Sequence, residues 1–147
     1  MIDYYAKSQP ITRVMVWQAY KKVKANKGSG GIDEMSWADL DKVCNEQLYK
    51  LWNRLNSGSY QPMPVREVEI NKSSGGVRRL GIPTILDRIA QQVVKSHLER
   101  IAEPYFHENS YGYRPKKSCH DAVEKAIQNV QTYDWVIDLD IKGFFDI

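Results

Sequence analysis

Cysteine and histidine are scarce, with two and three among 147 residues. Cys44 and Cys119 form no metal-ligand spacing, and only His120 lies near either of them, which argues against a zinc site. No apolar run approaches the roughly 20 residues of a membrane span. Met1–Tyr5 lacks the charged-then-apolar pattern of a secretory signal, so the thiols are expected to be free in a reducing cytoplasm. Net charge is also small: 21 Lys and Arg against 18 Asp and Glu leave +3, too little for a histone-like polycation. No internal repeat and no low-complexity tract interrupts the chain. What is present is ordinary globular material. Hydrophobic residues make up 42% and charged residues 27%, which excludes a disordered chain. The length suits one domain of about 100–200 residues.

The modest total charge hides an asymmetry. Residues 1–30 hold six basic residues and one acidic residue, net +5, whereas residues 121–147 hold two basic and six acidic, net −4. A basic front and an acidic end suit a polyanion partner beside a cation-binding site; solvated helix faces alone produce the same pattern.

Four segments read as helices: Pro10 to Ala25, Ser36 to Asn56, Thr84 to Tyr105 and Ser118 to Gln131. In the second, Leu40, Val43, Cys44, Leu48, Leu51, Trp52 and Leu55 follow the 3.6-residue period. Three of the starts share one chemistry: Ser36-x-x-Asp39, Thr84-x-x-Asp87 and Ser118-x-x-Asp121. In each, a hydroxyl accepts from an orphan N–H, and the acid three residues on favours the positive helix end. Between the second and third helices, the runs around Val65–Ile70 and Val77–Ile82 flank Ser73-Ser74-Gly75-Gly76 and predict a β-hairpin. Trp135–Ile141 is apolar enough for a central strand. The predicted fold class is therefore α+β, with helices around a small antiparallel sheet built from the 65–82 hairpin and a 134–141 strand.

Four places could carry chemistry. Alternation puts Asp138 and Asp140 on one face of the last strand, where a divalent cation, water or a basic partner would meet them; a strand end reaching solvent is the simpler reading. Arg66, Lys72, Arg78 and Arg79 line a hairpin whose glycine turn admits close approach of a ligand, and Arg grips phosphate through two donors. The same cations would also keep a bare hairpin soluble. Tyr111-Gly112-Tyr113-Arg114-Pro115-Lys116-Lys117 interleaves rings and cations in the manner of single-strand nucleic-acid surfaces, and fits a tight pre-helix turn equally well. Lys21, Lys22 and Lys24, followed by Lys27 and the glycine loop to Gly31, form a basic run that alone says little.

Taken in order, these blocks resemble one family. The loop Asn26-Lys27-Gly28-Ser29-Gly30-Gly31-Ile32-Asp33, the stretch Lys72 to Arg88, Tyr111-Gly112-Tyr113-Arg114-Pro115 with Ser118-Cys119-His120-Asp121-Ala122, and Asp140-Ile141-Lys142-Gly143-Phe144-Phe145-Asp146 match the N-terminal half of group II intron-type reverse transcriptases, the intron-encoded maturase lineage. The resemblance implies an RNA-directed DNA polymerase. It divides the chain into a basic N-terminal extension helix and loop at 1–35, fingers at 36–133 and the first, truncated palm strand at 134–147.

The same resemblance implies residue roles. Asp140 would be the first catalytic, metal-binding carboxylate, helped by the carbonyl of Ile141. Lys72 and Arg78 would hold the triphosphate of an incoming dNTP, with Phe145 beneath its sugar. Arg66, Ile82 and Pro83 would lie near the templating base, Arg114 would line the template path, and the loop from Lys27 would close over template or intron RNA. The implied cofactor is Mg²⁺, and the implied partners are an RNA template, intron RNA, a DNA primer and dNTP. A second copy of the chain could cover the open side of the last strand. Family members take further metal-binding carboxylates from a Tyr-x-Asp-Asp turn, because two-metal transfer needs more than one. This sequence contains no Asp-Asp dipeptide. A fragment that is inactive by itself is therefore expected, with RNA binding without catalysis as the alternative function.

Overall fold

The computed structural model describes residues 10–73 and 75–141. Helix α1 spans Arg13–Ala25, α2 Trp37–Lys42, α3 Cys44–Asn56, α4 Ile85–Ala102 and α5 Cys119–Val130; strands β1 (Arg66–Asn71) and β2 (Val77–Ile82) lie between α3 and α4. The chain divides between Glu99 and Arg100 into two compact units.

The first unit holds the core. Val16, Leu40, Ile85, Ile89 and Val93 are at most 1% exposed, and Leu48, Leu51 and Leu55 join them from α3. Burying each such side chain stabilises the unit by about 1.5–3 kcal/mol. Two indole N–H groups tie chain segments to this core: Trp52 donates to Ile11 O and Trp37 to Gly28 O, both at 2.9 Å. The single helix predicted over 36–56 is two. Val43, a β-branched residue, leaves helical geometry at φ −119° and ψ 17° and closes the short helix through an N–H bond to Leu40 O. That break allows Leu40 and the Leu48–Leu51–Leu55 stripe to face one core.

The expected hairpin forms, with Arg66 opposite Ile82, Val68 opposite Leu80 and Ile70 opposite Arg78. Paired residues share a face. One face therefore carries Arg66, Arg78 and Ile82, and the other carries Glu67, Glu69 and Arg79. All three hydroxyl–acid helix starts are built. Ser36 accepts from Asp39 N–H, Thr84 from Asp87 N–H, and Ser118 and Asp121 make the full reciprocal box.

The second unit contains a 3₁₀ turn at Glu103–Tyr105, the 106–118 loop and α5. No residue of α5 is buried, and Val123, Ile127 and Val130 of its apolar side are more than half exposed. One expectation fails here. Residues 135–141 form no strand, and the only sheet among the described residues is the two-stranded hairpin. An apolar strand forms only where neighbouring backbone satisfies its N–H and C=O groups. Among the described residues no strand pairs with this segment, and Trp135, Ile137 and Leu139 are over 80% exposed.

Candidate nucleic-acid and nucleotide site

The glycine loop after α1 is docked, not free. Gly31 lies against the backbone where the hairpin hands over to α4: an added Cβ would meet Thr84 Cα at 2.6 Å and the Pro83 carbonyl carbon at 2.9 Å. No side chain larger than hydrogen fits there. The Trp37 indole takes the Gly28 carbonyl, and the Arg88 guanidinium donates to the Ser29 carbonyl. Arg66 reaches the loop from β1, its Nη2 being 3.5 Å from the Ser29 hydroxyl. Lys27, Arg66 and Pro83, nominated from separate blocks of sequence, thus belong to one docked assembly in the first unit, and Ile82 sits next to it on the Arg66 face. Lys27 is exposed and adopts a left-handed φ of 47°.

Beneath this surface lies a polar network that the sequence pattern did not reveal. Asp87 is 3% exposed. Its carboxylate accepts from the Thr84 hydroxyl at 2.7 Å, from the Tyr60 hydroxyl, and from Met63 N–H at 3.3 Å. Burial, followed by the adjacent Asp87 carboxylate, pushes the Tyr60 phenol above its ordinary value. The network fastens the 60–63 segment, which leads into β1, to the first turn of α4. A cavity of about 220 Å³ opens beside it, lined in part by Lys50, Arg54 and Tyr60. Asp87 reads in sequence only as a helix-start acid; its burial depends on Tyr60, 27 residues earlier in the chain.

The hairpin sorts its cations. Arg79 lies 3.3 Å from Glu69 and 3.6 Å from Glu67 on one face. Lys72 and Arg78 form no ion pair with the described residues, and both are exposed near the turn, where Gly75 and Gly76 take φ values of 86° and 84°. Two cations available to an anion therefore stand close to a turn that only glycine makes without strain. On α1, Lys24 is engaged instead: its ammonium sits 2.7 Å from Asp41, which lowers the Asp41 carboxyl below its usual range.

In the second unit, Arg114 faces inward. Its side chain is 8% exposed and its Nη2 lies 2.6 Å from Glu103. Nε also bonds Glu103, and Nη1 donates to the carbonyls of His107 and Ser110. Lys117 likewise donates to the Ser110 carbonyl and lies over the Tyr111 ring. The turn reading of this block accounts for Arg114 and Lys117, whereas Tyr113 and Lys116 stand exposed. Asp140 and Ile141 are exposed in the segment that forms no strand. Phe145 lies outside the described residues. Among the described residues no group of three or more His, Cys, Asp or Glu side chains comes together to hold a metal.

The profile of the reverse transcriptase (RNA-dependent DNA polymerase) family matches residues 70–147, just over half of the chain. The chain belongs to this family. The group II intron-encoded protein LtrA of Lactococcus lactis is 38% identical over 132 residues, covering 87% of this chain and 21% of LtrA. Protein YkfC of Escherichia coli is 39% identical over 123 residues, 79% of this chain and 32% of that protein. An uncharacterized 91 kDa protein in a cob intron of Schizosaccharomyces pombe is 35% identical over 138 residues, 92% of this chain and 17% of that protein. The chain thus spans about a fifth of the length of LtrA, and its α+β architecture fits a reverse transcriptase segment of the group II intron type. No described helix is long and apolar enough to cross a membrane.

Proposed function

We propose that this segment grips an RNA template and the triphosphate of an incoming dNTP within an RNA-directed DNA polymerase of the group II intron type. The observation that carries the reading is the docking of the glycine loop on Pro83–Thr84 beside Arg66. Docking places the glycine loop that begins at Lys27 at the base of a cationic hairpin, which suits a phosphodiester backbone. Lys72 and Arg78 near the hairpin turn suit a triphosphate, because neither is neutralised by a described carboxylate. Asp140 is the proposed catalytic carboxylate and one ligand for Mg²⁺; the other ligands must come from outside the described residues. The primer completes the proposed set of partners.

Salt dependence tests the RNA-binding part. Each phosphate contact removed from a single strand lowers the slope of log affinity against log salt by about 0.7. Lys27→Gln and Arg66→Gln should each show that reduction, and Arg79→Gln, whose charge is met by Glu67 and Glu69, should show none. Equal effects from all three would overturn the assignment. In the polymerase that carries this segment, Asp140→Ala should abolish primer extension. A second reading, RNA binding without catalysis, rests on the same loop and hairpin, which need no metal. Normal extension by the Asp140→Ala polymerase would overturn the role of Asp140, and an unmodified polymerase that binds RNA yet extends no primer would favour this second reading.

A further inference from the structure

The loop from Lys27 to Asp33 makes no regular secondary structure, yet it is held from two sides. Consecutive carbonyls are taken by side chains from different helices: Gly28 O by the Trp37 indole of α2 at 2.9 Å, and Ser29 O by the guanidinium of Arg88 on α4. Arg88 also approaches its own helix start, with Nε 3.5 Å from Thr84 O. Its planar fork therefore spans the loop and the residue on which Gly31 rests. The loop is bracketed by two non-glycine residues at left-handed φ, Lys27 at 47° and Glu34 at 53°. Such backbone persists where surrounding contacts over-determine it. Without those contacts the bracketing residues would favour other geometries and the loop would lift.

We propose that Arg88, together with Trp37, is a latch that holds the Lys27–Asp33 loop against the start of α4, and that the latched loop slows the release of bound RNA. The second half rests on the reading of the loop as part of an RNA grip. Arg88 is a positioning residue in this scheme. Both its hydrogen bonds with described partners are to backbone carbonyls within the fold, and its effect on RNA passes through the placement of Lys27 and of Ser29 beside Arg66. A lysine at this position keeps the charge but loses the fork, and one ammonium cannot reproduce the planar bridge between Ser29 O and Thr84 O.

The 147-residue chain labelled with ¹⁵N provides the test. Its four indole N–H groups are resolvable, and Trp37→Phe assigns the one that reports loop docking. In Arg88→Gln, exchange of that indole proton with water should quicken about tenfold or more, the factor expected when a charge-assisted hydrogen bond is lost. Arg88→Lys should fall between the two. Release of a fluorescein-labelled single-stranded oligo(rU), followed by stopped flow, should quicken about fivefold or more in Arg88→Gln, because changes of this kind appear mainly in the off-rate. Gly31→Ala undocks the loop from its other side and should reproduce the faster release with Arg88 intact. Unchanged indole exchange in Arg88→Gln overturns the latch. Faster exchange with unchanged release of oligo(rU) overturns its role in holding RNA. If the unmodified chain binds no oligo(rU) at low salt, the RNA grip itself is wrong and slowed release falls with it, and the indole exchange still decides whether Arg88 holds the loop.

Discussion

Replacing Asp87 with alanine should be among the most damaging single changes outside the apolar core. Three donors converge on its carboxylate: the Thr84 hydroxyl, the Tyr60 hydroxyl and Met63 N–H. Thr84 is 1% exposed and Asp87 3%, so little water stands ready to replace the lost acceptor. An orphaned buried donor costs about 1–3 kcal/mol. Tyr60 is only half-buried and can recruit water, and Met63 N–H sits at the long end of hydrogen bonding, so both belong at the low end of that range. Thr84 belongs nearer the upper end, and the sum for Asp87→Ala is about 4 kcal/mol. Asp87→Asn keeps one acceptor oxygen and the shape and should cost about 2 kcal/mol.

Urea denaturation followed by circular dichroism measures both changes. With a slope of about 1–3 kcal/mol per molar urea, Asp87→Ala should lower the midpoint by about 1.3–4 M. A double-mutant cycle separates the network from general damage: in a Tyr60→Phe background one orphan is already absent, so Asp87→Ala should cost about 1 kcal/mol less. A loss below about 1 kcal/mol for Asp87→Ala would refute the idea that this carboxylate organises the approach to β1, and additivity with Tyr60→Phe would refute the shared bond.

The same tyrosine predicts an alkaline transition. Its phenol is raised in the folded chain, so the stabilising protonated form is fully present below the ordinary tyrosine value of about 10 and is lost as pH rises towards the higher folded value. Urea midpoints should therefore fall above about pH 10, and Tyr60→Phe should flatten that part of the profile. Leu40→Ala removes a fully buried side chain at the junction of α1, α2 and α3 and should cost about 2–5 kcal/mol, read by the same denaturation. Ser118→Ala breaks a reciprocal cap on a helix with no buried residue. It should lower the helicity of α5 by an amount equivalent to about 1 kcal/mol, measured by amide exchange at Ala122 and Val123, with the urea midpoint of the first unit unchanged.

What could be read from sequence follows from the range over which each interaction acts. The three hydroxyl–acid starts lie three residues apart and were legible because both partners sit in one helical turn. The hairpin was legible because Gly75 and Gly76 mark the turn and its register follows from the strands that meet there. Val43 was misread as helix interior because its apolar character fits the helical period, and the need to aim Leu40 and the Leu48 stripe at one core is a tertiary demand. Trp135–Ile141 was misread for the complementary reason. Composition reports what a strand would bury, and pairing depends on backbone that must be supplied by something else. Arg114 shows the same limit at the candidate site. A cation following two tyrosines looks like a ligand for phosphate until its planar fork closes on the carboxylate of Glu103, eleven residues earlier. Of the two neighbouring hairpin arginines, one is met by glutamates and one is not, a distinction set entirely by the two-residue alternation of the strand and its register. Charge counted along the sequence therefore overstates what is available to an RNA. The available cations are those whose own fold has left them without a carboxylate, and Lys27, Arg66, Lys72 and Arg78 meet that condition among the described residues while Lys24, Arg79 and Arg114 do not.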